Sequence, residues 1–169
     1  MTGRTFLGLP VHGDIVTGRD GRVRQRPLEE FTPLVQVVLD DPLTVEFGWR
    51  QYTPYFNDGE PCVFGAHGTW LRTAADGTSD GDDDDDGDDG TVSIDCHPTL
   101  GNRRWNEQAR QFDSVERSPE KKALYVKAVA LDHAVVGGAF DDVLLDAFGD
   151  HAYITVRRDG ITVGSCAHD

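Results

Sequence analysis

The stretch Tyr153-Ile154-Thr155-Val156-Arg157-Arg158-Asp159-Gly160-Ile161-Thr162-Val163 decides the fold class. Two runs rich in β-branched residues flank an Asp-Gly pair, the strongest short-range signal for an antiparallel hairpin with a tight turn. Gly160 is expected at a turn position of positive φ, which costs a residue without a Cβ little. The C-terminal end of the sheet is therefore expected to be antiparallel.

Working back from this hairpin, Phe140, Val143, Leu144, Ala147 and Phe148 recur at helical spacing and stop at Gly149, which predicts a helix. Before it, Ser118-Pro119-Glu120 combines a capping hydroxyl, a first-turn proline and an acid. That signature predicts a helix running to about Val136 and ended by Gly137-Gly138. Trp105 to Phe112 reads as a short helix.

The N-terminal half follows the same logic. Pro27 opens a predicted helix whose stripe is Leu28, Phe31, Val35, Val38 and Leu39, with Glu29 and Glu30 favourable to the dipole. Pro33 falls inside it and is expected to kink the first turn or delay the start to about residue 32. Pro42 marks the end. Leu43, Val45, Phe47 and Trp49 then alternate with Thr44, Glu46, Gly48 and Arg50, the period of a strand. Asn57-Asp58-Gly59-Glu60 predicts a turn, with Gly59 supplying positive φ. A second strand is expected through Cys62-Val63-Phe64 and on to Trp70-Leu71, making residues 43–72 a hairpin or meander. Thr91 to Ile94 resumes a strand, and residues 5–24 read as short strands around a Gly18-Arg19-Asp20-Gly21 turn. Strands and helices are grouped and do not strictly alternate. The expectation is one α+β domain over residues 1–169, a mainly antiparallel sheet with helices packed on one face.

The net charge of −14 is unevenly spread. Asp76, Asp80, Asp82–Asp86, Asp88 and Asp89 share one stretch without Lys or Arg. Residues 73–90 are therefore expected to form a disordered or flexible Asp/Gly-rich loop, an expanded hairpin tip. Asp82, Asp84, Asp86 and Gly87 match the first half of a calcium loop. Its twelfth position falls on Ser93, where a bidentate Glu is needed, and Asp89 replaces the apolar anchor. Cys62 and His67, Cys96 and His97, and Cys166 and His168 are near neighbours, but no Cys-x₂₋₄-Cys pair supports zinc. No metal or cofactor is expected.

Met1 to Gly13 lacks the apolar core of a signal peptide, and no apolar run has the length of a membrane span. An odd number of unpatterned cysteines suits a reducing compartment, so a cytoplasmic location is expected. Arg4, Arg19, Arg22, Arg24 and Arg26 form a basic N-terminal arm that offers a nucleic-acid reading; the acidic whole opposes it. Gly77-Thr78-Ser79-Asp80-Gly81 matches G-x-S-x-G only inside the Asp/Gly-rich run, without the strand before and helix after that a nucleophile elbow needs, and no phosphate-cradling glycine loop is present. Asp132-His133 and Asp150-His151 are only sequence neighbours, and neighbours on a helix do not face each other.

Trp49-Arg50-Gln51-Tyr52-Thr53-Pro54-Tyr55-Phe56-Asn57-Asp58-Gly59-Glu60-Pro61-Cys62-Val63-Phe64 resembles a signature of a group of uncharacterised phage and bacterial proteins. The ending from Phe148-Gly149-Asp150-His151 through Thr155 to Gly160 resembles the tail of actinobacterial members. The segments that carry the resemblance cover about a sixth of the chain. It implies a phage or prophage origin and brings no activity with it.

The same segment carries the densest aromatic cluster. Tyr52, Tyr55, Phe56 and Asp58 surround the bend, and strict alternation cannot send both tyrosines into the core. The cluster is either a core-facing turn or a contact surface. The functional expectation is a non-enzymatic protein-interaction protein, binding an unidentified protein or itself. The alternatives are a small enzyme built from dispersed Asp, His and Cys residues, and a nucleic-acid-associated protein using the N-terminal arginines.

Overall fold

The computed structural model describes residues 5–6, 9–10, 23–55, 59, 62–76, 92–94 and 97–165. The expected turn at 18–21 lies outside them. Two short strands, β1 (Thr5–Phe6) and β2 (Leu9–Pro10), pair with each other.

α1 spans Leu28–Leu39 and begins directly after Pro27. Pro33 does not delay its start. That residue lies on the exposed face, where the carbonyl that loses its intrahelical partner can turn to water. Phe31 and Val38 point into the core, whereas Leu28 is 55% exposed.

β3 (Thr44–Tyr52) and β4 (Gly65–Thr73) form the expected antiparallel pair. The second strand starts at Gly65, so Cys62 to Phe64 is an approach segment and not strand. The pairing slips where Gly48 faces Trp70 and Arg50 faces His67, which places one extra residue on β4. Gly68, at φ 59°, takes up that bulge. Gly48 is needed for another reason: a Cβ there would stand 1.9 Å from the Ile154 carbonyl oxygen and 2.8 Å from the Trp70 ring. Gly59 has the positive φ that the turn required, at 91°.

The segment 103–114 departs from expectation. In place of a helix it forms a hairpin, β5 (Arg103–Asn106) and β6 (Gln111–Ser114). The Asn106 side chain accepts a hydrogen bond from the Ala109 N–H at 3.0 Å, a local turn that competes with helix. Arg110 sits at φ 50°, which completes the reversal.

α2 spans Pro119–Val136, with the Ser118 hydroxyl accepting from the Lys121 N–H. It buries Leu124, Ala128, Leu131 and Val135, one helical face. α3 spans Asp141–Phe148 and stops at Gly149, φ 78°. Gln25 fixes its start, accepting from the Asp142 N–H at 2.9 Å and donating to the Gly138 carbonyl at 2.6 Å. β7 (Ala152–Arg157) and β8 (Gly160–Ser165) form the predicted hairpin, and Gly160 lies at φ 156°.

The main sheet has the order β4-β3-β7-β8, antiparallel throughout. The fold is α+β, with helices packed on the sheet. Phe47, Trp49, Leu71, Ile154 and Val156 meet Phe31, Leu124, Leu131, Phe140 and Leu144 in one core. Trp49 is gripped edge-on by Phe31 at 6.3 Å and by Phe148 at 5.9 Å. Gln51 is fully buried among these rings. It accepts from the Trp49 indole at 3.1 Å and donates to the carbonyls of Leu144 and Gly149. Every polar atom of its amide is thus used, which removes the penalty of burying it.

Residues 92–94 do not form the expected strand. They make a single bridge, Ser93 to Trp70, along the outer edge of β4. No helix of the described residues is long and apolar enough to cross a membrane.

Candidate functional site

The structure separates the sequence-predicted contact residues. Tyr52 is half-buried, its ring 4.8 Å from His67. Tyr55 is 71% exposed and stacks on His151 at 4.9 Å with the rings 18° apart. Phe56 and Asp58 lie outside the described residues. The His151 backbone, at φ 54°, is braced by Asp150. One Asp150 oxygen accepts from the Thr53 and His151 N–H groups, each at 2.8 Å. Burial pushes the Asp150 carboxyl up, but the Thr53 and His151 hydrogen bonds and the nearby imidazole outweigh it and hold the carboxyl below its usual range. Tyr55 is thus a surface residue on a fixed support, and Tyr52 is half-buried against His67 on the face of β3 opposite Phe47, Trp49 and Gln51.

Among the described residues, those of the enzyme reading do not assemble into one site. Asp76 and His97 do meet, in a closed structural knot. The His97 ring is fully buried and stands 3.0 Å from the Leu71 carbonyl oxygen through Nε2. Its Nδ1 accepts from the Thr99 and Leu100 N–H groups at 3.3 and 3.2 Å. This set defines a neutral ring with the proton on Nε2. Burial lowers the His97 pKa below its ordinary value, more than the nearby Asp76 carboxylate and the Leu71 carbonyl raise it. Asp76 accepts from the Thr73 N–H at 2.8 Å, from the Thr73 hydroxyl at 2.7 Å and from the Thr99 hydroxyl. At the start of the Asp/Gly-rich stretch, the Asp76 side chain is only 6% exposed and is structural. Cys62 is exposed, and Cys96 and Cys166 fall outside the described residues. Among the described residues, no three His, Cys, Asp or Glu side chains converge to hold a metal ion. Of the N-terminal arginines, Arg26 is engaged by Glu30 at 2.6 Å and lies over the Phe140 ring.

A recess among the described residues was missed by sequence reasoning. It is a cleft of about 630 Å³ between the β5–β6 hairpin and α2. Trp105 and Phe112 face each other across the hairpin, edge to face at 5.1 Å, and are 47% and 46% exposed. The Arg103 guanidinium covers Phe112 at 4.8 Å. Arg104, Pro98 and Tyr125 complete the walls, and no carboxylate is among the described lining residues. Its floor is fixed. The Val115 N–H donates to the Asn102 carbonyl at 2.8 Å, and Arg117 donates to the carbonyls of Gly101 and Pro98. The available signal was period two, Arg103 and Trp105 on one strand answering Phe112 on the other; helix-forming residues between them masked it.

No family model matches the chain, and neither does any curated protein or solved structure.

Proposed function

We propose that this chain is a non-enzymatic protein-interaction protein that binds a peptide segment in the β5–β6 cleft, the segment carrying a carboxylate beside an apolar side chain. The observation that carries this reading is the half-exposed Trp105–Phe112 pair with Arg103 laid over it. Large aromatic rings left half in water at a rigid recess are the composition of interface hot spots, and arginine joins tryptophan and tyrosine there. Arg103, laid over the rings with no carboxylate among the described lining residues, selects an anionic group, and the rings select an apolar neighbour. The net charge of −14 disfavours a long polyphosphate chain, whose repulsion grows with every added phosphate. The resemblance of residues 49–64 to phage and bacterial proteins supports a phage or prophage origin. The exposed Tyr55 on its His151 support is a second, smaller contact point.

The test is fluorescence anisotropy with three labelled probes of equal length: a peptide alternating Asp with Leu and Phe, the same peptide with Lys for Asp, and a single-stranded oligonucleotide. The first should bind best, and Trp105→Ala or Arg103→Ala should weaken it at least tenfold, about 1.4 kcal/mol. Preference for the oligonucleotide, or binding by none of the probes, would overturn the reading.

A further inference from the structure

β8 closes one edge of the main sheet, and among the described residues it pairs only with β7. The opposite edge is treated differently. Along β4, the Leu71 N–H donates to the Val92 carbonyl and the Ile94 N–H to the Thr69 carbonyl, so residues 92–94 cover that side. Among the described residues, β8 has no such cover and none of the usual protections of an edge. Its sequence, Gly160 to Ser165, contains no charge and no proline, and all six residues are exposed.

Its side chains also form a patch. Ile161 and Val163 stand opposite Val156 and Ile154, on the helix-bearing face of the sheet, yet they are 52% and 50% exposed. Ile161 continues into an apolar groove of about 170 Å³ between α1 and α3, where Leu28 is 55% exposed. Thr162, opposite the core-strand residue Thr155, points to the other face.

The identity of the occupant follows from the strand's own order. Gly160-Ile161-Thr162-Val163-Gly164 reads the same in chemical class in both directions. An antiparallel copy centred on Thr162 sets Ile161 against Val163 of the second copy and glycine against glycine. An isologous twofold contact demands this self-complementarity, and strand periodicity keeps all four apolar side chains on one face. The absence of charge on β8 lets two strongly acidic molecules approach here.

We propose that two copies of this chain associate through β8 about a twofold axis normal to the sheet, giving one continuous eight-stranded antiparallel sheet. This contact is independent of the β5–β6 cleft.

Sedimentation equilibrium over a wide concentration range tests it. The wild type should show a reversible monomer–dimer equilibrium. Thr162→Lys sets two ammonium groups face to face across the axis, and Thr162→Glu sets two carboxylates there. Each variant alone should have its dissociation constant raised at least tenfold, with circular dichroism and thermal midpoint in dilute solution unchanged. Mixing the two should restore dimers, now of mixed composition, which a misfolded variant could not do. A wild type that stays monomeric throughout, or a Thr162→Lys variant that pairs as tightly as the wild type, would overturn the proposal.

Discussion

Asp76 accepts a hydrogen bond from the hydroxyl of Thr99, twenty-three positions further along the chain. With His97 bound to Leu71 beside them, these residues fasten both ends of the aspartate-rich segment to the end of β4.

Replacement of residues 77–90 by a short Gly-Ser linker should therefore leave cooperative unfolding intact, because the fastening lies outside the exchanged segment. Extending the replacement to Asp76 should not be neutral. Asp76→Ala removes the acceptor for three hydrogen bonds and should cost about 2–3 kcal/mol in denaturant titration. Equal stability of the two constructions, with and without Asp76, would refute this assignment.

The same knot sets a pH dependence. His97 is buried neutral, with its pKa below the ordinary value. The unfolded chain therefore takes up the proton first, so the contribution of His97 is complete above about pH 6.5 and declines as pH falls below it. Asp76 adds a later loss. Burial raises its pKa, but the hydrogen bonds from Thr99 and Thr73 and the proximity of His97 bring it below the usual carboxylate value. Its contribution is present above that value and disappears at lower pH. Thermal midpoints measured from pH 7 down to pH 5 should fall, and His97→Gln should flatten that part of the profile.

Gly48→Ala should be among the most damaging single-methyl additions. The new Cβ meets backbone, the Ile154 carbonyl, and the buried Trp70 ring. Strands β3 and β7 must separate locally, at a cost of about 2–3 kcal/mol. Chemical denaturation measures it, and a change under 0.5 kcal/mol would mean that the strands stand further apart than described.

Gln51→Leu keeps much of the side-chain volume and removes the amide. The Trp49 indole N–H and the Leu144 and Gly149 carbonyls lose their shared partner. Unsatisfied buried groups of this kind should lower stability by about 2–4 kcal/mol in a urea titration.

Tyr55→Ala and Tyr52→Ala should behave differently, although the sequence presents the two tyrosines as a pair. Tyr55 is largely in water, so its removal should change stability by at most about 0.5 kcal/mol. Tyr52 is half-buried on β3 and should cost about 1–2 kcal/mol. Separate melts of the two variants decide it.

The order of strands and helices was largely legible. Ser118-Pro119-Glu120, the alternation of residues 43–50 and the Asp159-Gly160 pair each carry a strong local cause, and each appears as expected. Trp105 to Phe112 was misread because Glu107, Gln108 and Ala109 favour helix, while the deciding event is one side-chain bond from Asn106 to the Ala109 backbone. The cleft was invisible for a related reason. Its walls come from a hairpin and from Tyr125 on α2, and no spacing rule connects them. The burial of Asp76 was hidden by composition: one structural aspartate stands at the end of a run of chemically identical ones.

The fastening beneath the acidic segment has a practical consequence. Everything up to Asp76 supplies β3 and β4, and everything from Val92 supplies β7 and β8. The two portions meet at the centre of the sheet, where Phe47 lies beside Val156 and Trp49 beside Ile154. A cut through the aspartates would therefore leave two fragments whose shared core is their means of recognition. Expressed separately, they would form a split scaffold that reports proximity by reassembling, with new cargo fused at the cut.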